Sequence, residues 1–207
     1  MAEVDDAQAF WDQRYRDPGY IFGKQPNEFL VSQARLLPQG ARVLAVADGE
    51  GRNGVWLAER GCRVTSMDLS PIAIEKAKAL ARERAVDIEF FVADLMRWNS
   101  PEAVYDAVVC IFIQFATPRM RAKLFGGFHR ALRPGGIVIL EGYGLEQLQY
   151  SSGGPKEPEN LYTLELLRDA FADWEILHLR ERKVELDEGP KHRGMAALVD
   201  LVARKPA

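Results

Sequence analysis

The chain has 207 residues, 47% of them apolar, enough to bury one sizeable core and matching a single domain over 1–207. Thirty acidic against 27 basic side chains give a formal charge of −3, which leaves no electrostatic excess for holding a phosphate backbone, so nucleic acid is not expected as a bulk partner. The acidic opening Met1–Asp6 lacks the charged-then-apolar order of a secretory leader, and no later apolar run approaches membrane-spanning length, so a cytoplasmic protein without membrane contact, monomeric or homodimeric, is expected.

Residues 1–30 form a lead-in carrying Trp11, Tyr15, Tyr20 and Phe22, and residues 40–207 follow with a regular alternation. Val43–Val46 is a short apolar run that ends in a glycine-rich turn, and Asn53–Arg60 carries Val55, Leu57 and Ala58 at helical spacing. Arg63–Met67 is a second strand. Ser70-Pro71 then supplies an N-cap and first-turn proline for a helix over Ile72–Arg84. Ile88–Ala93 is a third strand, and Tyr105–Ile113 a fourth whose continuous apolarity suits a parallel strand covered on both faces. A helix starts at Thr117-Pro118 and runs to about Leu132, Arg133-Pro134-Gly135-Gly136 breaks it, and Ile137–Leu140 is the fifth strand. Beyond a long connection, Gly144–Tyr162, a helix is expected over Thr163–Phe171, a strand over Trp174–Leu186 and a last strand over Met195–Arg204, joined through Asp187-Glu188-Gly189-Pro190. Strands joined so closely pair antiparallel or part company, and the hairpin pairing is the one expected. The expected fold is α/β: a Rossmann-like, mostly parallel seven-stranded sheet with an antiparallel C-terminal strand, helices on both faces, and ligands beyond the carboxyl ends of the strands. Cys62 and Cys110, the two cysteines, have no metal-ligand spacing and are expected as buried reduced thiols, and no metal site is expected.

The sharpest local signal is Asp48-Gly49-Glu50-Gly51-Arg52-Asn53-Gly54, directly after the first strand. Its glycines let the backbone pass close to a ligand, and the following helix offers free N–H groups to an anionic one. Gly49, Gly51 and Gly54 also satisfy G-x-G-x-x-G, so a nicotinamide or flavin dinucleotide fits this loop as well. Asp68, ending the second strand, is placed to accept hydrogen bonds from both hydroxyls of a ribose. Asp94, ending the third, and the neighbouring Leu95 amide are placed either to meet an adenine edge or to cap a turn.

In this order of features the chain resembles the class I S-adenosylmethionine-dependent methyltransferases over nearly its whole length, Leu132-Arg133-Pro134-Gly135-Gly136 before the fifth strand included. Trp11-Asp12-Gln13-Arg14-Tyr15, Tyr20-Ile21-Phe22-Gly23-Lys24-Gln25-Pro26-Asn27 and Gly49-Glu50-Gly51-Arg52-Asn53 are similar to the tellurite-resistance and thiopurine-methyltransferase-like branch. The resemblance implies S-adenosyl-L-methionine as cofactor, held by Ala47, Asp48, Gly49, Glu50, Gly51, Arg52, Asn53, Asp68, Leu69, Ser70, Ala93, Asp94, Leu95 and Ile111. It also implies a small-molecule acceptor, a thiol or other soft nucleophile, with Gln114 in the catalytic position and Trp11, Tyr15, Tyr20, Phe22, Tyr143 and His192 forming a lid and acceptor wall. The family usually has an acid where Ala45 stands and a glycine where Ala47 stands, and Asp48 or Glu50 is available to compensate. Lys191, His192 and Arg193 form a small basic group able to attract an anionic acceptor. Arg119, Arg121, Lys123 and Arg130 suit a solvated helix face, and His129 a structural or surface position. Two alternatives stand beside this expectation: an NAD(P)-dependent oxidoreductase and a non-catalytic S-adenosylmethionine-binding module.

Overall fold

The computed structural model describes residues 2–207, with the side chains of residues 2–5 left out. Seven strands make one sheet: β1 (Arg42–Val46), β2 (Arg63–Asp68), β3 (Glu89–Val92), β4 (Tyr105–Ile111), β5 (Leu132–Tyr143), β6 (Glu175–Asp187) and β7 (Arg193–Arg204), in the order β3-β2-β1-β4-β5-β7-β6. The pairs among β3, β2, β1, β4 and β5 are parallel, while β7 runs antiparallel to both β5 and β6. This is the expected sheet with its one reversed strand.

The helices are α1 (Ala2–Tyr15), α2 (Glu28–Ser32), α3 (Arg52–Glu59), α4 (Pro71–Glu83), α5 (Pro118–Ala131) and α6 (Leu164–Ala170). Alternate residues of the central strands enter opposite apolar layers, which is why the β4 sequence is apolar throughout. Leu44, Val108, Cys110 and Leu140 pack with Phe128 of α5 and Phe171 beside α6. Val43, Ala45, Val109 and Ile139 pack with Phe29 and Leu30 of α2 and Leu57 of α3. Both cysteines are free and buried. Truncating a fully buried ring such as Phe128 removes about 3–5 kcal/mol by the usual cavity cost.

Local chemistry sets the helix starts. The Ser70 side chain accepts from the Ala73 amide at 3.2 Å ahead of Pro71, and Thr163 accepts from Leu166 at 3.0 Å. Three features depart from the expected elements. Helix α2 is short, and it is capped by Asn27, whose Oδ1 accepts from the Leu30 amide at 2.9 Å. Strand β5 begins at Leu132, because Arg133-Pro134-Gly135-Gly136 bulges out between two registers, Tyr105↔Leu132 and Ala107↔Ile137, and does not end the pairing. The 144–162 connection is ordered, holding two 3-10 turns over Leu145–Gln149 and Pro158–Asn160. Among the described residues, no helix is long and apolar enough to cross a membrane.

From β1 the chain moves outward to β2 and β3, then returns to place β4 on the other side of β1. This reversal opens a crevice beyond the carboxyl ends of β1 and β4.

Candidate functional site

The crevice is a cavity of about 710 Å³, within the range of small-molecule sites. One end is the loop after β1. Ala47, Gly49 and Gly51 take positive φ angles of 48°, 59° and 87°, so the backbone coils tightly on itself. An added side chain on Gly49 would stand 2.9 Å from the Tyr15 hydroxyl, which shows how closely the lead-in covers the loop.

Carboxylates brace this loop from beneath. Asp48 accepts from Ser66 Oγ at 2.9 Å and from the Gly54 amide at 3.2 Å, and burial pushes its carboxyl up to about 7. It thus ties the loop to α3 and β2 in a chain that has Ala45 in the usual acid position. Glu50 pairs with Lys76 of α4 and accepts from the Phe22 amide at 3.3 Å. Asp68 accepts from the Gly49 amide and the Ser70 amide, both at 2.9 Å, with burial raising its carboxyl to about 6. A carboxylate has about four lone-pair sites, so Asp68 retains acceptor capacity toward the cavity.

Asp94 caps a turn, one of the two roles expected of it: Oδ1 accepts from the Met96 amide at 2.8 Å, while Oδ2 is buried without a hydrogen bond, 3.4 Å from the exposed Arg97. Arg52 Nη1 and His192 Nδ1 are further buried polar atoms without partners, and both residues line the cavity.

The other end is aromatic. His192 packs among Phe22, Phe112 and Tyr143, with ring centroids at 4.6, 4.4 and 5.9 Å. Burial, then the nearby Arg52 and Arg14 charges, hold its imidazole down at about 3, so it is neutral. Gly153 and Gly154 lie against the Tyr143 ring so closely that an added side chain would collide with it. On α1, Ala7, Phe10, Trp11 and Arg14 line the cavity at i, i+3, i+4 and i+7, and Trp11 stacks on Tyr15 at 5.8 Å.

Of the residues singled out in the sequence, Trp11, Tyr15, Phe22, Ala47, Asp48, Gly49, Glu50, Arg52, Asn53, Asp68, Leu69, Ala93, Asp94, Leu95, Ile111, Gln114, Tyr143 and His192 line the cavity. Three do not. Gly51 is a packing glycine, since a Cβ there would stand 2.7 Å from the Ala77 Cβ of α4. Ser70 caps α4 and donates its hydroxyl to Asp12 of α1. Tyr20 anchors the lead-in on α4, donating to the Lys76 carbonyl at 3.0 Å, with the Lys24 ammonium 4.8 Å from its ring centroid.

Gln114 lines the wall, but the amide expected to orient a ligand is engaged by main chain. Nε2 donates to the Tyr143 and Asn160 carbonyls at 2.7 and 3.3 Å, and Oε1 accepts from the Tyr143 amide at 2.5 Å. The expected basic trio also divides: Lys191 lines the cavity, His192 is neutral, and Arg193 pairs with Asp187 at 2.7 Å. On α5, Arg121 departs from a solvated face, being 7% exposed and donating to the Glu159 carbonyl at 3.1 Å. His129 is exposed, as expected for a surface position. Arg14, Phe115, Met96 and Met120 line the cavity unforeseen; for Arg14 the helical spacing with Ala7 and Trp11 was a usable signal.

Comparison with known proteins accords with this geometry. A family described as "Methyltransferase domain" matches residues 43–136. Thiopurine S-methyltransferase of Pseudomonas putida F1 is 28% identical, the match covering 95% of this chain and 97% of that one. The tRNA N(3)-methylcytidine methyltransferase Mettl2 of Drosophila melanogaster is 28% identical over 76% of this chain and 54% of its own. The chain spans about half the length of the first curated relatives it matches, at 54%, 45% and 55% of theirs. In fold it is similar to a solved structure from the conversion of a disulfide bond into a thioacetal group during echinomycin biosynthesis, with TM-score 0.78, 23% identity, and 97% of this chain and 92% of that one covered. With the seven-stranded sheet, the glycine loop and Asp68 at its carboxyl edge, the methyltransferase-domain match and the full-length likeness to a thiopurine S-methyltransferase support a class I S-adenosylmethionine-dependent methyltransferase of the tellurite-resistance and thiopurine-methyltransferase-like branch.

Proposed function

We propose that the protein transfers a methyl group from S-adenosylmethionine to a small-molecule acceptor, a thiol or another soft nucleophile. The observation that carries this reading is the two-ended cavity: a carboxylate-braced glycine loop at one end, and at the other an aromatic wall around an uncharged histidine. In this reading the Asp68 carboxylate receives the ribose hydroxyls, Asp94 and Leu95 flank the adenine, and the loop around Gly49 borders the amino-acid part. The chain works as one domain over 1–207, with residues 1–30 as its cap, in the cytoplasm.

The bound sulfonium donor supplies an already activated methyl group. The chain's own task is therefore to align an acceptor and keep water away. Phe22, Phe112 and Tyr143 exclude water from the acceptor end. His192 is too weakly basic to take a proton from a thiol, and its ring completes the aromatic wall of the acceptor end. Deprotonation is left to the acceptor, which suits a thiol better than an alcohol, because thiols ionise near neutral pH.

Incubation with labelled S-adenosylmethionine and a panel of thiols, amines, halides and oxyanions tests this reading, with methylated product and S-adenosylhomocysteine both measured. Turnover of thiols ahead of amines and oxyanions is the expected result. Donor binding with no acceptor turned over would favour a non-catalytic module, and tight NAD(P) binding in its place would favour the oxidoreductase.

A further inference from the structure

Glu141 of β5, two residues before Tyr143, is fully buried, and Asp200 stands directly opposite it on β7, also buried. Carboxylates facing each other across a strand pair repel when both are ionised. A single guanidinium joins them: Arg182 of β6 donates through Nη2 to Glu141 Oε2 at 2.5 Å and through Nε to Asp200 Oδ2 at 2.7 Å. The cluster continues through Asn27, whose Nδ2 donates to Glu141 Oε1 at 2.5 Å and to Oε1 of Glu188, in the β6–β7 corner, at 3.0 Å. It ends at the Arg52–Glu188 ion pair of 2.7 Å. Three carboxyl groups thus share two guanidinium groups, one negative charge too many for a site so largely closed to water. Asp200 Oδ1 is buried without a partner, and its carboxyl group is within hydrogen-bonding reach of Glu141. One proton held between the two satisfies that oxygen and removes the excess charge together. Burial, then the Asp200 charge, hold the Glu141 carboxyl well above the usual range, with the Glu188 charge adding to the rise and Arg182 opposing it. Of the other ionisable groups around the cluster, Arg180, opposite Asp200 on β6, and Glu28 of α2 are exposed, and His178 of β6 packs on the Phe29 ring of α2 at 5.3 Å.

Asn27 is the joint between the lead-in and the sheet: fully buried, it caps α2 through Oδ1, and its amide donates to Asn53 Oδ1 at 2.9 Å. Glu141 and Asp200 lie on strands paired continuously through β7, whereas Asn27 reaches the cluster by side-chain contacts alone. Lifting Asn27 is therefore the least costly way to bring water to an unbalanced charge on Glu141. We propose that Glu141 and Asp200 form a proton-dependent latch: with one proton between them they hold Asn27 and keep the lead-in over the cavity, and without it water enters at Asn27 and the lead-in lifts. The open form, with Glu141 hydrated, binds that proton less tightly than the closed one. The open fraction accordingly rises with pH, by up to about tenfold per pH unit, and levels off once the closed form has lost the proton as well. The latch requires no particular ligand and stands apart from the methyl-transfer reading.

Hydrogen exchange followed by NMR on the full chain, from about pH 6 to about pH 9, reads the latch. The Asn27 and Leu30 amides are the reporters and the β4 amides the reference, each corrected for intrinsic exchange at its pH. In wild type, protection at the reporters is expected to lie below that of β4 and to fall by about tenfold or more across this range. Asp200→Asn puts an amide N–H where the shared proton sits and keeps an oxygen for Arg182, and it is expected to abolish the pH response. Glu141→Gln makes the same exchange on the facing strand and should abolish it too, whereas His178→Gln should leave it in place. A response that survives in both carboxyl variants, or that disappears in His178→Gln, overturns the latch. Wild-type reporter protection that is level across the range overturns it without any variant. So does reporter protection equal to that of β4 and falling in step with it, the mark of whole-chain unfolding.

Discussion

Gln114 closes its side-chain amide on both main-chain polar groups of Tyr143, donating to the carbonyl at 2.7 Å and accepting the N–H at 2.5 Å. The clamp joins the turn after β4 to the end of β5 and so fixes one wall of the acceptor end. Gln114→Ala leaves both Tyr143 groups unpaired in a buried site and is expected to cost about 1–3 kcal/mol of stability. Acceptor turnover should fall more than donor affinity. Urea unfolding beside donor calorimetry checks this; full stability with lost turnover would mean that Gln114 acts on a ligand directly.

Asp48 and Asp68 are raised from 3.8 to about 7 and about 6, in both cases chiefly by burial. The folded chain therefore holds protons that the unfolded chain releases above pH 3.8, and their contribution to stability declines as pH rises from about 4 to about 7. His192 acts in the opposite sense, since its folded value lies below its unfolded 6.5 and its contribution is lost as pH falls toward 3. A difference between variants isolates the carboxylate. Asp48→Asn keeps an oxygen for Ser66 and Gly54 and should be more stable relative to wild type near pH 7 than near pH 4. A pH-independent difference in urea midpoints would remove Asp48 from this account.

Ala47 sits at φ 48°, where an L-residue is strained and glycine is not. Ala47→Gly should raise stability by up to about 1 kcal/mol, less the entropy glycine adds to the unfolded chain. Ala47→Val, β-branched at the same angle, should lower both stability and donor affinity. Thermal unfolding in the presence and absence of donor reads both effects, and a destabilised glycine variant would contradict the strain.

Lys76 donates to the Asp17 carbonyl at 2.8 Å and the Tyr15 carbonyl at 3.3 Å, and it also reaches the Gly19 carbonyl and Glu50. One ammonium thereby staples the turn after α1 to the glycine loop. Lys76→Met should speed proteolytic cleavage within residues 16–19 and raise the acceptor KM several-fold. Unchanged cleavage would show that the aromatic contacts hold the lead-in unaided.

Strand and helix alternation was legible because each element is set by local chemistry: the β1 apolar run, Ser70-Pro71 before α4, and the apolar β4. Asp68 and the glycine loop were legible for the same reason, as their position at a strand end follows from the period of the fold. What stayed hidden depends on partners far along the chain. Nothing local to Glu188 announces Arg52, 136 residues away, or Asn27, 161 residues away. Gln114 was found as a position but not in its role, since its partner lies 29 residues on. Tyr20 shares its aromatic character with Tyr15, and only the turn between them sends one to the cavity and the other to α4.

Strand β7 lies between β5 and β6, although it is made after both. During synthesis, β5 therefore emerges with one edge uncapped, and β6 has no neighbour to zip onto until residues up to Arg204 have left the ribosome. The donor half can consolidate early, while the corner carrying Glu188 and His192 must wait for the final hairpin. Ribosome-bound nascent chains stalled short of β7 would expose a sticky strand margin, the kind of surface that recruits chaperones.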